Sequence, residues 1–203
     1  MNQQQIQTRL DQLAIQDPDV QSALSQVGYP PPRIRPAGFD TLVSTIVSQQ
    51  IGANVARVIM DRVREALPQL TPDAIRALPP ERLRALGLSQ RKCEYVIGLA
   101  NAIIEGHFPM DELAAMDDQD AIDAIVRLRG FGRWSAEIYL MFSLGRSDIF
   151  PADDLALQVA LQRLKRLEQR PTPKQCRELT AAWAPHRSAG ALFLWHYYHG
   201  APA

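Results

Sequence analysis

Apolar residues recur along this chain at intervals of three and four, the spacing that places them on one face of an α-helix. Ile6, Leu10 and Leu13 begin the pattern, and Leu42, Val43, Ile46 and Val47 repeat it. It continues in Val55, Val58, Ile59 and Val63, then in Val96, Ile97, Leu99, Ala100 and Ile103. Two further stripes flank a short loop: Ala121, Ile122, Ile125, Val126 and Leu128 before it, and Ala136, Ile138, Leu140, Met141 and Leu144 after it. No segment alternates apolar and polar residues as a half-buried strand would.

Helix ends are marked as clearly as helix faces. Thr71-Pro72 supplies a capping hydroxyl with proline at the first helical position, and Thr172-Pro173-Lys174-Gln175 reads as a capping box closing on Gln175. Gly28 to Pro32, Pro79-Pro80, Gly106 to Pro109 and Pro151 interrupt the pattern. The expectation is an all-α fold of about ten short helices joined by short loops. The proline-rich stretch from Tyr29 to Pro36 reads as an extended connector between an N-terminal helix pair and the rest.

A chain of 203 residues can bury a core without help from a metal or a disulfide. Its 22 basic and 22 acidic side chains cancel, so no global positive field advertises a polyanionic partner. Charge is nevertheless uneven along the sequence, with Arg127, Arg129, Arg133, Arg146, Arg163, Lys165 and Arg166 following an acidic block from Asp111 to Asp123, which implies segregation by face. No apolar run reaches bilayer length, and the polar start Met1-Asn2-Gln3-Gln4-Gln5 is unlike a signal segment. A soluble cytoplasmic protein with no membrane partner is expected, nucleoid-associated if bacterial. Cys93 and Cys176 lack metal-ligand spacing and read as reduced thiols. The four histidines form no recognisable constellation with acids or nucleophiles.

Candidate chemistry lies in the loop between the last two stripes. Arg127-Leu128-Arg129-Gly130-Phe131-Gly132-Arg133-Trp134-Ser135-Ala136 sets a Gly-X-Gly turn at the start of a helix, where N–H groups and the helix dipole favour an anion such as a nucleic-acid phosphate. Pro151-Ala152-Asp153-Asp154 then places two acids ahead of the Leu155-Ala156-Leu157 helix. By residue type alone these acids either cap that helix or supply a fixed negative charge to a site.

Together the two segments resemble the helix-hairpin-helix DNA glycosylases that carry a Gly/Pro-rich loop and a catalytic aspartate. The Leu-X-Gly-Phe-Gly-Arg-Trp-Ser-Ala variant is similar to their alkylation-repair branch, the 3-methyladenine-DNA glycosylase II type, and the likeness runs from about Phe39 to Tyr198. The resemblance implies two helical lobes with the active site in the cleft between them: residues 38–145 ending in the helix-hairpin-helix, and residues 1–37 with 146–203 forming the second. Bacterial relatives often carry an N-terminal β-rich domain for which this chain has no room, so a minimal version is expected.

The same resemblance distributes roles. Asp154 falls at the catalytic position, stabilising positive charge on the sugar and orienting water, with Asp153 as helix cap or loop support. Trp134 and Trp195 fall at positions that line the pocket for a flipped base, where an electron-rich indole favours a cationic alkylated purine. Ile138 stands where relatives have a tyrosine, with Tyr139 next to it, which leaves the lesion range open. Gln50 in Ser48-Gln49-Gln50-Ile51-Gly52 aligns with the wedge that fills the vacated stack. Gly130, Gly132, Arg133, Ser135 and Arg187 are expected on the DNA backbone, and Arg91 and Lys92 are further surface candidates. Main-chain carbonyls of Val126, Leu128 and Phe131 are the expected ligands of a structural monovalent cation, sodium or potassium; no other cofactor is required. Bifunctional relatives carry a lysine where this chain has Trp134, so release of the base without strand cleavage is implied. Duplex DNA containing damaged bases is the expected partner of a monomeric enzyme that excises 3-methyladenine and 7-methylguanine. Excision of hypoxanthine or ethenoadenine, and a non-catalytic DNA-binding module, are the alternatives.

Overall fold

The computed structural model of the chain describes residues 1–200. Twelve α-helices occur among them: α1 (Gln3–Gln16), α2 (Pro18–Val27), α3 (Phe39–Ser48), α4 (Ala53–Ala66), α5 (Pro72–Ala77), α6 (Pro80–Ala85), α7 (Gln90–Ile104), α8 (Asp118–Val126), α9 (Arg133–Phe142), α10 (Leu155–Leu164), α11 (Pro173–Leu179) and α12 (Arg187–Gly200). One-turn 3-10 helices lie at Met110–Glu112 and Ala181–Trp183, and there is no strand among the described residues. The all-α expectation holds. Its start signals hold as well, since the Thr71 hydroxyl accepts the Ala74 N–H at 3.2 Å and Thr172 and Gln175 cap one another reciprocally.

The chain divides into two compact units, Pro36–Tyr139, and Met1–Arg35 together with the segment from Leu140 onward. Residues 201–203 of the expected 146–203 segment lie outside the described residues. In the contiguous unit, Leu42, Val43, Ile46 and Val47 of α3 are fully buried, as are Ile75 of α5, Leu83 of α6 and Val96 of α7. Side chains of this kind each contribute about 1.5–3 kcal/mol when withdrawn from water.

In α4 the structure corrects the expected face. Val55 and Val58 are 54% and 40% exposed, whereas Ala56, Ile59, Met60 and Val63 are buried. A step of three from Val55 drifts off the core line, while 56, 59, 60 and 63 follow the helical period, with Met60 and Ala56 as its less obvious members. Val126, at the end of α8, is likewise 40% exposed.

The second unit joins α1 and α2 to α10, α11 and α12. Its centre is the buried carboxylate of Asp17, which caps α2 by accepting the Asp19 and Val20 N–H groups. Both of its oxygens lie 2.7 Å from Lys165 Nζ, and Oδ2 also accepts the Trp183 indole N–H at 2.8 Å. Burial alone would raise the Asp17 pKa, but the hydrogen bonds from Lys165 and Trp183 outweigh it and hold the group below the ordinary value. Gly190 lets α12 press on Trp183, because a Cβ there would sit 2.5 Å from the indole ring.

Candidate functional site

The loop between α8 and α9 is a tight hairpin held from beneath. Gly130 has φ +93, and a Cβ at this position would overlap the Tyr95 ring of α7, so glycine is required both by conformation and by space. Gly132 is different from what the Gly-X-Gly spacing suggested. It has no positive φ and open space around it, so no turn demands glycine there. What it supplies is bare backbone at the start of α9, where its carbonyl accepts the Ala136 N–H at 3.1 Å. Phe131, between the two, is 7% exposed and pins the loop into the core of its unit.

The side chains expected around the hairpin separate into exposed and committed groups. Trp134 presents an indole that is 42% exposed, which sets it apart from a core tryptophan. Arg133 Nε donates to Glu137 Oε1 at 2.9 Å, while its terminal nitrogens lie 3.4–3.5 Å from Gln119 Oε1 of α8. Glu137 escaped the sequence reading; it is 2% exposed, and an acid four residues after Arg133 was its available signal. Ser135, Ile138 and Tyr139 are buried. The Tyr139 hydroxyl accepts the Gly38 N–H at 2.9 Å, so it is spent on the fold of its own unit, and burial raises its pKa.

The loop after α3 carries Gln50, exposed and with φ +57, a left-handed conformation that costs a non-glycine residue about 1 kcal/mol. Beside it Gln49 Nε2 donates to the Gly130 carbonyl at 2.6 Å, joining this loop to the hairpin. Lys92 Nζ donates to the Val47 carbonyl at 2.7 Å near the end of α3, and burial lowers its pKa. Lys92 is thereby a helix-end ligand, a use for lysine that its surface-like sequence context conceals.

The carbonyls expected to hold a cation stand at the end of α8 and in the loop after it. Val126 is the last residue of α8, where carbonyls lack intrahelical donors and carry the negative end of the dipole. The Leu128 carbonyl accepts the Phe131 N–H at 3.1 Å and keeps a second lone pair. Neutral carbonyl oxygens suit a hard monovalent cation.

In the other unit, Asp154 is the N-cap of α10, its Oδ1 accepting the Leu157 N–H at 3.0 Å. Asp153, expected as helix cap or loop support, does not cap but pairs with Arg177 at 3.1 Å, because its backbone lies one position too early to reach the first turn. The Trp195 indole N–H donates to the same Asp154 Oδ1 at 3.2 Å. Trp195 is 7% exposed and packs against Phe142 with ring centroids 5.8 Å apart. The Arg33 guanidinium, absent from the sequence reading, stands 5.9 Å from the Trp195 ring centroid. Its place in the proline-rich connector gave no hint of this neighbour. Arg187, expected against a phosphate, grips Asp148 bidentately at 2.8 and 2.7 Å at the start of α12. Burial would raise the Asp148 pKa, but the Arg187 hydrogen bonds bring it below the ordinary range. Cys93 and Cys176 are both buried free thiols, and burial raises the Cys176 pKa to about 11.

A glycine-turned hairpin opening a helix, an exposed tryptophan in the first turn of that helix, and a helix-capping aspartate oriented by an indole define a helix-hairpin-helix repair protein. The chain belongs to the HhH-GPD superfamily of base excision DNA repair proteins, whose family pattern matches residues 43–186. Among named relatives, it is 34% identical over 161 residues to DNA-3-methyladenine glycosylase 1 of Schizosaccharomyces pombe, covering 77% of this chain and 71% of that protein. DNA-3-methyladenine glycosylase 2 of Escherichia coli is 28% identical over 204 residues, 93% of this chain and 69% of the relative. The solved Schizosaccharomyces pombe 3-methyladenine DNA glycosylase, in complex with abasic DNA, superposes with a TM-score of 0.81 at 30% identity, covering 93% of this chain and 95% of that one.

Proposed function

We propose that this protein is a monofunctional DNA glycosylase that hydrolyses the N-glycosidic bond of alkylated purines, 3-methyladenine and 7-methylguanine, in duplex DNA. The observation that carries the reading is Asp154, whose Oδ1 is fixed by two donors, the Leu157 N–H and the Trp195 N–H. A pure DNA-binding module gains nothing from a carboxylate so oriented, since it repels phosphate. Bond cleavage that leaves positive charge on the deoxyribose gains a counter-charge that needs no rearrangement as the reaction proceeds.

Mechanism follows from the roles of the chain's own groups. The hairpin backbone from Gly130 to Gly132 takes a phosphate. Gln50 fills the space left by the extruded nucleotide, and the exposed face of Trp134 receives the base. Asp154 stabilises the oxocarbenium-like sugar and accepts a proton from the attacking water. The Val126, Leu128 and Phe131 carbonyls would hold a sodium or potassium ion, which when bound offsets phosphate charge at the hairpin. With Trp134 in place of an amine there is no Schiff-base nucleophile at that position, so the product is an abasic site and borohydride traps no covalent adduct.

A second reading, excision of a neutral lesion such as hypoxanthine or ethenoadenine, is favoured by Arg33. A guanidinium beside Trp195 contributes a cation–π contact of its own and disfavours a second cation there. Incubation of the protein with methylated, hypoxanthine-containing and ethenoadenine-containing duplexes, followed by identification of the free base, separates the two. Release of no base from any duplex, with DNA binding intact, would overturn both in favour of a binding module.

A further inference from the structure

The hairpin and the Gln50 loop are separated by some eighty residues of sequence, yet three side chains bind them into one body. Gln49 Nε2 donates to the Gly130 carbonyl at 2.6 Å, across a sequence separation of 81. The Tyr95 ring lies against Gly130 so closely that no Cβ fits, and Lys92, one turn earlier on the same face of α7, donates to the Val47 carbonyl at 2.7 Å. The Gln50 loop is therefore fixed to the hairpin directly through Gln49 and indirectly through α7. Gln50 itself is held exposed in a left-handed conformation that its side chain does not favour.

We infer that Gln49 is a positioning residue that sets the register between the exposed Gln50 side chain and the phosphate-binding hairpin, so that grip on the backbone and filling of the stack occur at one fixed spacing. This rests on the wedge role given to Gln50 above. A short neutral hydrogen bond is well suited to holding that spacing. The amide of Gln49 is long enough to reach the hairpin while its own backbone turns out of α3, its N–H still bonded to the Ile46 carbonyl at 3.3 Å. Gly130 contributes its carbonyl, an acceptor that no side-chain substitution removes, so the link depends on Gln49 alone.

The test is a double-substitution cycle read on DNA containing no reactive base, so that it does not depend on catalysis. Affinities for a duplex bearing a tetrahydrofuran abasic analogue and for its undamaged counterpart are measured for the wild type, Gln49→Met, Gln50→Ala and the double variant, with thermal melts of each. Gln49→Met keeps the side chain's length and packing while removing the donor. Its expected effect is a loss of about three- to tenfold in preference for the abasic duplex, the range of one neutral hydrogen bond, with undamaged-DNA affinity retained. In the Gln50→Ala background the same substitution adds nothing, because the group it positions is gone. Independent, multiplying losses from Gln49→Met and Gln50→Ala would overturn the inference, as would an equal loss on both duplexes or no loss. A wild type that prefers abasic DNA but releases no damaged base sinks the glycosylase reading alone; one without that preference sinks the positioning role.

Discussion

Asp154 offers a separation of folding from chemistry at a single atom. Its Oδ1 accepts both the Leu157 N–H and the Trp195 indole N–H, and these two structural duties require an oxygen acceptor and no charge. The Asp154→Asn variant retains such an oxygen, and asparagine caps helices as well as aspartate does. The expected loss of stability is below about 1 kcal/mol, the difference between charged and neutral acceptors. Asp154→Ala loses the cap, about 1 kcal/mol, and strands the indole N–H of a buried tryptophan, about 1–3 kcal/mol more. Both variants remove the counter-charge proposed for the sugar, for which a loss of about a thousandfold, near 4 kcal/mol of barrier, is expected. Denaturant melts and single-turnover release of methylated purine from a duplex read the two effects separately. Turnover of Asp154→Asn within about tenfold of wild type would refute the catalytic assignment. Equal destabilisation by asparagine and alanine would refute the account of the cap.

Other outcomes follow from the same contacts. Gln50→Gly removes a left-handed non-glycine residue, so thermal unfolding should show a gain of up to about 1 kcal/mol while preference for abasic over undamaged duplex falls; a loss of stability would contradict the conformational argument. Asp17→Ala should cost about 3 kcal/mol in equilibrium unfolding, at the low end for a buried ion pair because Asp19 still faces Lys165 at 2.9 Å. Asp17 has a folded-state pKa below its ordinary value of 3.8, so its contribution is full above that value and drains as pH falls through the lower folded one. Acid unfolding of the wild type should therefore show a steeper stability loss below about pH 4 than Asp17→Ala, which keeps only the share due to other carboxylates such as Asp148, and parallel profiles would contradict it. Gly190→Ala drives a methyl into Trp183 and should destabilise by about 1–3 kcal/mol; an unchanged melting temperature would mean that α12 shifts freely.

Helix faces were legible in the sequence wherever large aliphatic residues mark them, as in α1, α3 and α7, because burial there follows from periodicity alone. In α4 the exposed valines misled, since Ala56 and Met60 bury as well as valine yet stand out less in a pattern. The hairpin and the acidic start of α10 were legible as well, because a turn glycine and a pre-helical acid have local meanings. What local pattern could not show was which long side chain ends on which distant group. Gln49 on Gly130, Lys92 on Val47 and Arg33 beside Trp195 are decided by tertiary approach, and so is the pairing of Arg187 with Asp148, 39 residues away. The cap on α10 fell to Asp154 and not Asp153 through a one-residue difference in where the helix begins, the least predictable part of any helix.

The division of the chain into a continuous unit and a split one has a consequence for the order of assembly. Pro36–Tyr139 is one uninterrupted stretch, so every residue it packs within its own unit has been made once Tyr139 is in the chain. The helix pair before it cannot follow suit. Asp17 can cap α2 at once through the Asp19 and Val20 N–H groups, but its carboxylate must wait for Lys165, 148 positions downstream, and Trp183, 166 downstream, to gain its cation and its indole donor. At ordinary synthesis rates that is a delay on the order of ten seconds, during which the apolar faces of α1 and α2 are uncovered. Helices α1 and α2 are thus secured after the unit that follows them, and a chain ended before Trp183 leaves Asp17 without its indole donor.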